Sequence, residues 1–372
     1  MRTKSTLLSN LTLMTLAGLL NLALVTHANA QMGTIPLSTV ESPSLNGSQQ
    51  SQIADFVAHW SQRASGADSQ QTSRAKAKLV EPLINSRVSI SFRRAYSDAL
   101  NAYIDQLQSN ADIGSTMLAL RLSGELGTTR ATKMVLAGLN SDDLGTRVFA
   151  AGRIGRIFRT TAANGPALSA SDLNSLITEL ESIADSQTDE SVLSAAIQAL
   201  GVGSTLPSND FLAQRSRCII AMCNAASAQL MSDDSDLESR VRIAMLGAGA
   251  ATNSLFQNGE DSTEEAVKAS VELGANMISV ALSEVIHQTI PGVDGRSIHV
   301  ASVRSGESLL YFALRKHAEL HRRPVDNVQQ TAFADLLQAG EDRDFRNQAA
   351  LLLGPGSPIN TTFGFADDAF VN

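Results

Sequence analysis

Between Leu139 and Phe158 the chain reads LNSDDLGTRVFAAGRIGRIF. Leu144, Val148, Ala151 and Phe158 fall at spacings of four, three and seven, which puts them on one face of a helix. Asn140, Ser141 and Asp142 supply turn and N-cap chemistry ahead of it, and Asp143 adds negative charge at its positive end. Ala150, Ala151, Gly152 and Gly155 are small, so this helix can be approached closely by another. A single amphipathic helix has nowhere to bury its apolar face, and the chain supplies further copies.

The copies appear as a spacing. Ile154-Gly155, Leu200-Gly201 and Leu246-Gly247 each close an Ala-rich apolar stretch, and their glycines are 46 residues apart. An acidic cap precedes each: Ser141-Asp142-Asp143, Thr188-Asp189-Glu190 and Ser235-Asp236. A fourth copy is expected at 341–354, and a weaker one at 88–100, VSISFRRAYSDAL. Asp142, Arg147, Ala150-Ala151 and Ile154-Gly155 together resemble the second helix of a HEAT repeat, in which an Asp-containing turn leads into an Arg and an Ala-rich stretch. The period lies within the roughly 40–47 residues of such repeats. The resemblance covers about 78–354 and departs at Leu193, which stands where Arg147 would, and across 275–340, where the period is lost. It implies an all-α fold, an α-solenoid of antiparallel helix pairs. Val293-Asp294-Gly295-Arg296, between β-branched pairs, predicts a short hairpin or irregular insertion near 290–302.

Outside the repeats, the first thirty residues read as a targeting leader. Arg2 and Lys4 precede an apolar run from Leu11 to Val25, and Ala28-Asn29-Ala30 is a cleavage signature, so cutting is expected after Ala30. That run is shorter than the roughly 20 residues a membrane span needs, and no other stretch is read as a span. The mature chain is therefore expected in the periplasm or outside the cell. Residues 31–50 are rich in Ser, Pro and Gly and read as a disordered linker, 51–354 as one helical repeat domain, and 355–372 as a tail. That tail carries Phe363, Phe365 and Phe370 and no Lys or Arg, so it is expected either to cap the last helix pair or to dock a partner.

Charge and chemistry narrow the function further. The chain holds 29 Lys and Arg against 37 Asp and Glu, a formal charge of −8, and loss of Arg2 and Lys4 would make it −10. That balance argues against a general nucleic-acid binder. Aromatic residues make up 4%, too few for base-stacking or carbohydrate platforms. No strand-turn-helix G-x-S-x-G and no phosphate loop occurs, so no catalytic residue or cofactor is assigned. Cys218 and Cys223, five apart on one helix, project about 140° apart with about 7.5 Å of rise, beyond disulfide reach, and are expected as buried thiols. His317 and His321 lie at i and i+4 and could chelate a metal, with His287 and His299 candidates by residue type for a third ligand. The simpler reading is a basic helix end before Pro324. Arg153, Arg156 and Arg159 make a local stripe, which either caps a helix C-terminus or docks an acidic partner.

These readings favour an exported, non-catalytic scaffold that presents a concave helical surface to an unknown protein partner. Two alternatives are a helical-repeat enzyme or metal-binding protein centred on His317 and His321, and a structural component of the cell envelope.

Overall fold

A computed structural model describes residues 33–66, 68–109, 112–186, 189–232, 236–256, 261–290 and 292–370. The leader and cleavage site expected over residues 1–30 lie outside the described residues. The described residues form an all-α fold with no strand among them. The chain divides into two compact units, one ending at Thr128 and the other starting at Thr129.

The first unit holds α1 (Leu37–Val40), α2 (Gly47–Ala64), α3 (Ser69–Val80), a 3-10 turn (Glu81–Ile84), α4 (Ile90–Ser109) and α5 (Ile113–Leu126). Residues 31–50 were expected as a disordered linker, but two helices begin there. The local reason is a capping box: the Asn46 side chain accepts from Gln49 N–H while the Gln49 side chain accepts from Asn46 N–H. Behind it, Ile53, Phe56, Val57 and Trp60 supply a buried face. Helix α2 packs on α3 and α4, and α4 on α5. Phe56 lies 6.3 Å from both Trp60 and Tyr96, and Phe92 lies 5.3 Å from Tyr96. The Tyr96 hydroxyl, buried by this packing, donates to the Leu79 carbonyl at 2.8 Å.

The second unit opens with α6 (Thr129–Leu139), α7 (Leu144–Asn164), α8 (Ala170–Ser186) and α9 (Glu190–Gly203). It continues with α10 (Ser208–Met231), α11 (Leu237–Phe256), α12 (Glu264–His287) and α13 (Gly292–Leu320). After them come α14 (Phe333–Ala339), α15 (Asp342–Leu353) and α16 (Pro358–Phe363). Helix α6 packs on α8, α8 on α10 and α10 on α12; α7 packs on α9, α9 on α11 and α11 on α13. Each helix thus meets the one two places on, and the two successions run side by side. The acidic caps expected from the sequence start three of these helices, at Asp143, Asp189 and Asp236. At the first, the cap is one residue later than the Asn140–Asp142 turn: Asp143 accepts from Thr146 N–H at 2.7 Å.

The repeat glycines sit where helices meet. A Cβ on Gly155 would lie 3.4 Å from the Ala199 Cα, and one on Gly201 would lie 2.9 Å from the Ala250 Cβ. These contacts set α7 on α9 and α9 on α11 with little more than backbone between them. Gly152, also expected at such a contact, instead faces open space.

Past α12 the order changes. The insertion expected near 290–302 is not a hairpin: residues 292–320 form one helix, α13. Burial of His299, Val300 and Val303 against the unit, chiefly against α12, outweighs the local Asp-Gly turn signal. After α13 the chain makes a 3-10 turn at Val325–Asn327 and then the short α14. Glu307 of α13 starts α14, its carboxylate accepting from the N–H groups of Phe333 and Ala334. The expected fourth repeat is helical as α15, but it packs on α12 while α14 packs on α13, so this pair does not extend the two successions. Helix α12, central to these contacts, is long and apolar enough to cross a membrane, contrary to the sequence expectation of no such stretch. It is apolar nearly all round because α10, α11, α13 and α15 all pack on it.

Candidate functional site

One group of chemically capable side chains comes together in the second unit. Helix α12 starts at Thr263, whose hydroxyl accepts from Ala266 N–H, so Glu264 stands in the first turn. Helix α13 ends in a backbone turn: Arg322 N–H donates to the Glu319 carbonyl and Arg323 N–H to the Ala318 carbonyl, with Arg322 left-handed at φ 54°. This is a Schellman closure with arginine where glycine is usual. It sets His317 on the last turn and His321 just beyond it, their ring centroids 4.3 Å apart. His321 Nε2 lies 3.7 Å from Glu264 Oε1. One donor atom from each of Glu264, His317 and His321 lies within 4.8 Å of the others.

Their environments differ. His317 is buried, and Phe363 of α16 covers its ring at 4.8 Å. Burial lowers its pKa from the ordinary imidazole value; His321 and Arg323 add to this, and Glu264 opposes it. Glu264 and His321 are exposed. The tail also reaches α12, where Lys268 sits over the Phe365 ring at 4.9 Å.

His287 and His299 are not the third ligand. His287 ends α12, at the opposite terminus from Glu264, with its Nδ1 2.8 Å from the Ser283 carbonyl. His299 precedes His317 on α13 by a helical rise of about 27 Å. Glu264 was missed in the sequence because its proximity depends on how α12 and α13 pack, 53 residues apart in the chain.

The arginine stripe lies on α7. Arg153 and Arg156 are half-buried and Arg159 is exposed. The Arg153 guanidinium covers the Phe149 ring at 4.5 Å. A second arginine–aromatic group lies on α13 and α11: Arg315 over Tyr311 at 5.5 Å, and Phe312 edge-on to the exposed Phe256 at 5.2 Å.

Two other arginines, unremarked in the sequence, are fully buried. Arg215 donates to the carbonyls of Leu206 and Ser254, tying the α9–α10 connection to α11. Arg93 donates to the Leu126 carbonyl, and burial, with Arg94 nearby, lowers its pKa to about 10, which leaves it charged at neutral pH. Cys218 and Cys223 are buried free thiols, as expected. Burial raises both, Cys223 to about 12, so neither is a nucleophile at neutral pH.

No protein-family profile and no curated protein matches the chain. Among solved structures it is similar to two engineered proteins of the Northeast Structural Genomics Consortium. The first is 17% identical, with 68% of this chain and 97% of the other covered at a TM-score of 0.34. The second is 14% identical, with 90% and 93% covered at a TM-score of 0.30. Neither score fixes a shared architecture.

Proposed function

We propose that this is an exported, non-catalytic HEAT-like scaffold, in which α7, α9, α11 and α13 offer an extended concave surface to a protein partner. The observation that carries the reading is their successive packing, each on the next. Stacked helix pairs of this kind curve and expose one helix series along the inner side. Two members of the series, α7 and α13, bear arginine–aromatic groups, the residue types that dominate binding energy at protein interfaces. Arg159, exposed on the same helix α7, suits an acidic partner segment. Export rests on the leader over residues 1–30.

The test places a photo-crosslinking side chain at Arg159, at Phe312 or, on the other series, at exposed Ser175 of α8. Each full-length chain is irradiated in its native extracytoplasmic fraction. The expected result is an adduct of one common mass from Arg159 and Phe312 and none from Ser175. Failure of both sites to crosslink, or an equal adduct from Ser175, overturns the reading.

A further inference from the structure

We propose that Glu264, His317 and His321 form a three-ligand site for a divalent first-row transition cation of the zinc class, with water completing the coordination. Two imidazoles at i and i+4 on the end of α13 offer nitrogen donors in one direction, and the start of α12 brings a carboxylate to the same place. Two histidines and a glutamate are a recognised zinc donor set that leaves a coordination position open. The nitrogen donors select against magnesium and calcium, which take oxygen.

The present spacing is that of a site able to close. At 3.7 Å, His321 Nε2 and Glu264 Oε1 are too far apart for a hydrogen bond. A tetrahedral zinc with bonds of about 2.1 Å places its ligand atoms about 3.4 Å apart. The widest separation here is 4.8 Å or less, so closure needs roughly 1.4 Å of movement at most. The exposed side chains of Glu264 and His321 can supply that by rotation about their own bonds. His317 provides the fixed point, buried and covered by Phe363.

The local field is mixed. The negative end of α13 favours a cation, whereas the positive end of α12 and the nearby Arg323 oppose one. Strong inner-sphere bonds are therefore required, and a loosely held hydrated ion is not expected. When bound, the cation links the start of α12 to the end of α13 and so stabilises the folded unit by mass action.

The experiment uses the full chain, stripped with chelator and dialysed into metal-free buffer. Zinc alone, and separately magnesium alone, are titrated by calorimetry, with thermal melts in parallel. The expected result is one zinc per chain, no saturable magnesium binding and a melting midpoint that rises with zinc. His321→Ala and Glu264→Gln alter exposed side chains and leave the His317–Phe363 packing intact. Each is expected to weaken zinc affinity by roughly a hundredfold, since even outer-shell partners are worth 10–100-fold, and to abolish the midpoint shift. Absence of saturable zinc binding by the wild-type chain overturns the proposal. So does stoichiometric zinc binding of unchanged affinity in both variants, which would assign the metal to other histidines.

Discussion

At the residue scale, His299 is a side chain whose environment sets it apart from its solution behaviour. It is fully buried, and neither ring nitrogen has a hydrogen-bond partner among the described residues. Burial lowers its pKa from 6.5; Glu284 on α12 pulls it up and Arg296 on α13 pushes it down. The unfolded chain therefore takes up a proton at a higher pH than the folded chain does. In the window below the unfolded value, the unfolded state holds more protons, so stability falls as pH falls. His317 and His59 are shifted the same way and add to the slope. The depressed carboxylates Asp112, Asp143, Asp172 and Asp342 lose their contribution only at lower pH. Acidification from about pH 7.5 to about 5.5, which spans the imidazole range, is expected to lower the melting midpoint. His299→Leu should flatten that fall, whatever its midpoint at the upper pH. An equal slope in the variant would show that His299 titrates freely in the folded chain.

At the scale of elements, the helices with a regular period were legible and those without it were not. Asp143, Asp189 and Asp236 announce helix starts through local chemistry, and the 46-residue spacing of Gly155, Gly201 and Gly247 marks helix contacts. The spacing could not show which small residues face a neighbour: Gly155 does and Gly152 does not, although both lie on α7. Two elements were hidden by misleading local signals. The Asn46–Gln49 capping box lies in a stretch whose Ser and Gly content reads as linker, and the Asp-Gly pair near 294 reads as a turn inside what is helix. In the candidate site, His317 and His321 were legible as a helical pair, while Glu264 depends on packing between two helices. The contact of α7 with α9 yields a quantitative expectation. Gly155→Leu forces a side chain against the Ala199 backbone and should cost about 1–3 kcal/mol. Gly152→Ala meets no neighbour and should stabilise by up to about 1 kcal/mol, because alanine favours the helix. Denaturant midpoints decide it: equal effects at the two positions would mean the α7–α9 contact is absent in solution.

At the scale of the whole molecule, the question is how a succession of helices that each bury an apolar face on the next comes to an end. In the second unit the succession stops at α12 and α13, and the chain then folds back on that pair. Helix α15 covers α12, and the tail carries Phe363 and Phe370 into buried positions. Ser279 of α12 donates its hydroxyl to the Phe370 carbonyl at 2.6 Å, which fixes the far end of the tail on the helix. Phe365 bridges the two rings, 6.1 Å from Phe363 and 5.1 Å from Phe370. Of the two roles open to the tail from its sequence, this geometry favours the cap, because a docking segment would keep its rings for a partner. A cap at the chain terminus has a particular energetic signature. Phe370→Ala removes a buried ring, a change that in a central core costs about 3–5 kcal/mol. Here the loss is bounded by the free energy that holds the tail down, since residues beyond α15 can come away while the remaining helices keep their contacts. The expected outcome is therefore selective: backbone amides over 356–370 lose hydrogen-exchange protection in Phe370→Ala, while those of α10 and α11 keep theirs. Unchanged protection over 356–370 would mean that Phe370 does not hold the tail. A uniform fall across α10, α11 and the tail would make the tail an integral part of one cooperative core and end its reading as a separable cap.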